Sequence, residues 1–169
     1  FMPDSARPQF VVDLALPQGT DIRATAAVVA EAEATVRAAP GVRHVTSFIG
    51  QGGLRFMLTY SPEDPNPAYG QLLVDVARFE DIAGLIERLQ PELEAAFPQA
   101  SVKVWKFMLG RGGGKKIEAA FRGPDPAVLR RLAEEAKAIM AADPEAVAIQ
   151  DDWRRAVAVV RPRFSVEAA

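Results

Sequence analysis

The residues able to do chemistry are few and poorly grouped. The chain has 169 residues, one His and no Cys, so thiolate ligation, disulfides and a multi-histidine metal site are excluded. His44 follows Arg43 in a β-rich stretch, with no nucleophile and orienting acid spaced to suit it. The adjacent carboxylates Asp151 and Asp152 sit where a strand is expected to turn, a place where acids shape the backbone. The run Gly110–Lys115 suggests a phosphate cradle, but it lacks Gly-Lys-Ser/Thr and precedes a strand-like segment, not a helix. Met2, Met57, Met108 and Met140 are scattered, which suits core filling better than a soft-metal relay. The expectation is binding without covalent chemistry: no enzyme, no resident cofactor and no metal.

Hydrophobic residues make up 49% and charged residues 25%, the composition of a folded globular chain. Apolar runs reach only five residues, as in 26–30, far short of the roughly 18–20 needed to cross a bilayer. The net charge of -2 conceals an uneven spread. Residues 1–100 carry 7 Lys/Arg against 13 Asp/Glu, whereas residues 101–131 carry 8 against 2. Such a basic band can neutralise the acidic part or meet an acidic ligand. An RNA reader would need an aromatic-glycine motif that is absent, so no nucleic-acid partner is expected.

Alternation predicts a strand over 9–17, and Thr20 or Asp21 caps a helix that runs to about 39. Strands follow over 42–49, 54–60 and 71–76, with Gly50-Gln51-Gly52-Gly53 as the bend between the first two. The stripe Ile82, Leu85, Ile86, Leu89, Leu93 and Phe97 predicts a second helix, with Pro91 placed to kink it. Residues 101–109 return to strand. This order is the α+β, ferredoxin-like split βαβ signature. After a glycine-rich linker comes a shorter unit: strand 117–122, helix 126–142 and strand 146–151, with a last strand over 156–166. The expected organisation is 1–109, 110–154 as an incomplete second α/β unit, and a truncated strand in 155–169.

In the first unit both helices should cover one sheet face. Phe10, Val12, Leu14 and Leu16 alternate onto that side, together with Val102 and Val104. Asp13, Lys103, Trp105 and Phe107 then share the opposite face. A Trp and a Phe on an uncovered sheet need a second protein layer or a ligand. A cleft between the two units is the place where a small-molecule site would form.

The ordered series Arg7-Pro8-Gln9-Phe10-Val11-Val12-Asp13-Leu14, Leu16-Pro17-Gln18-Gly19-Thr20, Pro40-Gly41-Val42, Leu54-Arg55-Phe56, Asn66-Pro67, Phe97-Pro98, Phe121-Arg122-Gly123-Pro124-Asp125 and Asp152-Trp153 resembles resistance-nodulation-division (RND) efflux pumps of the acriflavine-resistance type. The resemblance covers essentially the whole chain. It implies a periplasmic porter segment of a Gram-negative inner-membrane, proton-driven multidrug transporter. Such a parent is a homotrimer with a periplasmic adaptor and an outer-membrane channel. The Phe at position 1 would then mark where a membrane helix was cut away. By position, the resemblance places Asp13, Arg55, Phe56, Lys103, Trp105, Phe107 and Gln150 along an access cleft for drugs or amphiphiles. Gly50, Gln51, Gly52, Gly53 and Leu54 correspond to a switch loop that is aromatic in well-known drug pumps and glycine-rich here. The competing expectations are a free-standing ferredoxin-like small-molecule-binding or regulatory module and, within the pump class, heavy-metal efflux.

Overall fold

The computed structural model describes residues 5–55, 60–107, 117–144, 146, 149 and 151–153. Seven elements follow one another: β1 (Gln9–Ala15), α1 (Ile22–Arg37), β2 (Val42–Ile49), β3 (Tyr69–Val76), α2 (Asp81–Ala96), β4 (Ser101–Lys106) and α3 (Pro126–Ala141). The four strands form one sheet in the order β2-β3-β1-β4, and every neighbouring pair is antiparallel. Each βαβ crossover therefore spans a strand of the other, which is the ferredoxin-like split arrangement.

Local chemistry explains the helices. The side chain of Asp21 caps α1 by accepting from the Arg23 amide at 2.8 Å. Thr25, Val29, Ala32 and Val36 then recur at helical spacing on the buried side. In α2 the buried set is Ile82, Leu85, Leu89, Gln90 and Leu93, and Pro91 lies inside the helix without ending it. Both stripes press on Phe10, Val12, Leu14, Leu72, Val74, Val102 and Val104, and together they form the hydrophobic core of the described residues. The alternation expected for β1 and β4 is thus observed.

One buried polar residue belongs to this packing. Gln90 of α2 accepts from the Val104 amide at 2.7 Å and donates to the Val102 carbonyl at 3.0 Å. Its side chain occupies backbone groups on the outer rim of β4, an edge strand otherwise open to pairing.

Two expected strands are not formed among the described residues, and those expected over 146–151 and 156–166 lie largely outside them. Leu54, Arg55 and Tyr60 carry no strand structure, and 56–59 lie outside the described residues. Residues 117–123 likewise have no regular structure, and among the described residues no strand pairs with them. A strand gains its hydrogen bonds only from a neighbour, so β-rich composition alone does not form one. The helix expected over 126–142 is present as α3, capped by Asp125, which accepts from the Ala127 amide at 2.8 Å. None of its residues is buried. Among the described residues no helix is long and apolar enough to cross a membrane.

Candidate functional site: an aromatic platform under a strap

The sheet face away from the helices carries the proposed site. Strand register sets its layout. Asp13 lies opposite Lys103 on β4 and Gln71 on β3, while Val11 lies opposite Trp105 and Leu73. Side chains of one parity share a face, so Asp13, Lys103, Trp105, Tyr69 and Gln71 converge there. Phe107 follows β4 in the same parity and packs edge-on against Trp105, with centroids 5.4 Å apart and planes at 78°.

Asp13 organises this face. Its Oδ1 accepts from the Tyr69 hydroxyl at 2.6 Å and from Gln71 Nε2 at 2.8 Å. Its Oδ2 accepts from the Trp105 indole N–H at 2.6 Å. Three donors from two neighbouring strands thus meet one carboxyl group. The Lys103 ammonium lies 5.6 Å from the Trp105 ring centroid, within cation–π range.

The face is covered by the chain itself. Between β2 and β3, residues 50–55 and 60–66 form a strap, pinned at its base where the Asn66 amide donates to the Gly50 carbonyl at 2.7 Å. Further along, the Gly52 amide donates to the Glu63 carbonyl at 3.0 Å. A Cβ at Gly52 would stand 2.6 Å from the Glu63 nitrogen, so only glycine allows this approach. The Gly53 amide and the Tyr60 hydroxyl both donate to Gln71 Oε1 at 2.9 Å. The Tyr60 ring lies 6.2 Å from Trp105 at 27° and meets Phe107 edge-on at 6.5 Å. Tyr60 and Phe107 are buried as a result, and Trp105 is half-buried.

Burial and the nearby Asp13 charge hold the Tyr69 phenol far above the usual tyrosine range. Burial also raises Tyr60, against the hydrogen bonds it makes with Gln71 and the Gly53 backbone. These are the chain's two tyrosines. Unfolded, both ionise near pH ~10. Folded, both keep their protons beyond that pH, so the folded state binds more protons there. The contribution of these two tyrosines to stability should be constant up to about pH 10 and then fall as pH rises. Tyrosinate absorbance should stay low in the folded chain above that pH and appear together with loss of circular dichroism. Ionisation of both phenols at the ordinary value with the fold intact would contradict this burial.

The sequence-predicted residues divide accordingly. Asp13, Lys103, Trp105 and Phe107 come together as the alternation implied. Gly50, Gly52 and Gly53 lie in the strap, whereas Gln51, Leu54 and Arg55 in the same segment are exposed. Phe56 and Gln150 lie outside the described residues. Tyr60, Tyr69 and Gln71 were not anticipated. The period of β3 could have placed Tyr69 and Gln71; nothing periodic marks Tyr60.

A second concavity, about 520 Å³, lies beside α3, lined by residues including Phe121, Arg122, Leu129, Met140 and Trp153. There Lys137 bridges Asp151 and Glu134, each at 2.7 Å, and both acids raise its ammonium pKa, Asp151 more strongly. The Arg130 guanidinium lies 5.4 Å from the Trp153 ring. Among the described residues no three His, Cys, Asp or Glu side chains cluster to hold a metal ion.

No protein-family model matches the chain, and no curated protein does. Solved structures do. The X-ray crystal structure of a heavy metal efflux pump, crystal form II, aligns with 85% of this chain at a TM-score of 0.63 and 18% identity. Crystal form I of a heavy metal efflux pump aligns with the same share at 0.59 and 20% identity. In each case the alignment takes up 16% of the pump's own chain. At these identities the likeness establishes one thing, that this chain shares the fold of a segment of those pumps.

Proposed function

We propose that this chain is a porter segment of an RND efflux transporter, on the periplasmic side of an inner-membrane, proton-driven trimer, and that it contacts the exported molecule without covalent chemistry. The observation that carries the reading is the fold shared over 85% of the chain with a segment of an efflux pump. The ordered motif series read from the sequence supports the same assignment. Trp105 and Phe107, which Tyr60 covers in this structure, supply flat apolar contact once that ring moves aside, with Lys103 and Asp13 as the charged groups at the edge of the site.

The test is export by the parent pump in an efflux-deficient host. Trp105→Ala should lower resistance to at least one aromatic amphiphile by about fivefold, the effect of losing one anchoring aromatic. Unchanged resistance across a broad amphiphile panel, at normal expression, would overturn the assignment of the platform. A second reading, export of heavy-metal ions, is favoured by the pumps whose fold this chain shares. A cation would need ligands other than thiolate here, because the chain has no Cys. Metal salts in the same panel separate the two readings.

A further inference from the structure

Tyr60 reaches the platform from the strap and makes there the contacts of a bound small aromatic. One ring face lies along Trp105, an edge meets Phe107, and one polar atom is anchored, on Gln71 Oε1 at 2.9 Å. Two of the residues that receive it have an anchor of their own. Trp105 is held by Asp13 at 2.6 Å, and Gln71 is held through its Nε2 by the same carboxyl at 2.8 Å, all on paired strands. Tyr60 and the residues after it, 61–66, are in neither helix nor strand, where opening costs less than in a hydrogen-bonded sheet. A preformed receptor and a locally displaceable occupant are therefore combined in one chain.

We propose that Tyr60 is an intramolecular ligand, and that the site it fills takes a planar aromatic bearing a hydrogen-bond donor, a phenol or a hydroxylated aromatic amphiphile, in its place. Gln71 Oε1 is the specificity-determining atom. When the strap lifts it loses the Tyr60 hydroxyl and the Gly53 amide together, and a buried acceptor left without donors is costly. A ligand hydroxyl restores what an unsubstituted ring cannot. The Lys103 ammonium and the Asp13 carboxyl both border the Trp105 ring, so a neutral ligand such as a phenol meets neither charge at a disadvantage. The geometry stands by itself; only its meaning for export rests on the pump reading.

The test uses the 169-residue chain carrying Trp153→Phe, which leaves Trp105 as the only indole reporter. With Tyr60→Ala added, p-cresol should bind saturably and shift Trp105 emission, about tenfold tighter than toluene. The chain that keeps Tyr60 should bind p-cresol about tenfold more weakly than the Tyr60→Ala chain, because the site is filled. Gln71→Leu in the Tyr60→Ala chain should bring p-cresol and toluene within about twofold of each other. Equal affinities for p-cresol and toluene with Gln71 present, or no saturable shift in a folded Tyr60→Ala chain, would overturn the proposal. Should Tyr60→Ala not fold, recovery of its circular dichroism by p-cresol and not by toluene supports the proposal; failure of both to restore it counts against. Phenol binding in the isolated chain with no export by the parent overturns the pump reading alone. Export by the parent with no phenol binding overturns this inference alone.

Discussion

Asp13→Ala is expected to destabilise the chain by about 3–4 kcal/mol, read as a lowered urea midpoint with little change in slope. The carboxyl accepts from Tyr69, Gln71 and Trp105 at 2.6–2.8 Å, and the substitution leaves all three donors without their acceptor. Hydrogen bonds to a charged group are worth about 1.5–3 kcal/mol each, so a simple sum overshoots. Gln71 and Tyr69 already lie 3.0 Å apart and can pair with each other, and water can reach the half-buried indole. Relief of the desolvated charge offsets a further part. Asp13→Asn keeps one acceptor oxygen but turns an NH2 group toward a donor, so it should cost about 1–2 kcal/mol. Both variants should broaden the near-ultraviolet signal of Trp105. A cost below about 1 kcal/mol for Asp13→Ala would mean that the network does not hold the platform.

Gly70→Ala should be comparably damaging for a different reason. Gly70 lies on β3 beneath α1, where an added Cβ would stand 2.2 Å from Val29 Cγ2. Val29 has one strongly preferred side-chain rotamer in a helix, so relieving that contact takes a disfavoured rotamer or a shift of α1, an overpacking cost of about 2–3 kcal/mol. Val29→Ala alone should cost about 2 kcal/mol, from two lost buried methyl groups. Combined, the two substitutions should be about 1–2 kcal/mol less destabilising than their sum, because the second opens the space that the first requires. Strict additivity by urea unfolding would show that α1 does not rest on Gly70.

These two sites differ in how visible they were beforehand. The apolar alternation of β1 and β4 placed Asp13, Lys103 and Trp105 on one face, because side chains along a strand alternate whatever the strand is paired with. The stripes of α1 and α2 were equally plain, because an apolar face repeating at 3.6 residues has to be buried. Gln71 was visible as a strand residue, but its role depends on facing Asp13, a partner 58 positions away. Gly70 reads as an ordinary strand glycine until Val29 is set above it. The strand expected over 54–60 rests on composition alone. Where the structure describes that segment, it is part of a strap that bonds to the sheet face through the Gly53 amide and the Tyr60 hydroxyl.

α3 shows the same division within one element. Its cap at Asp125, its N-terminal Pro126 and its amphipathic pattern could all be read along the chain. What lies against it could not, and none of its residues is buried among the described parts.

The sequence by itself determined the seven elements that form, their order, and the faces of β1 and β4, though not that residues 117–122 would stay irregular. It also excluded thiolate and disulfide chemistry, since these follow from residue type and local periodicity. Only the tertiary structure decided that Asp13 gathers Tyr69, Gln71 and Trp105, that Tyr60 covers the platform, and that Val29 requires glycine at position 70. Those contacts depend on strand register and on the path of an irregular strap, and both are set by free energies summed over pairs distant in the chain.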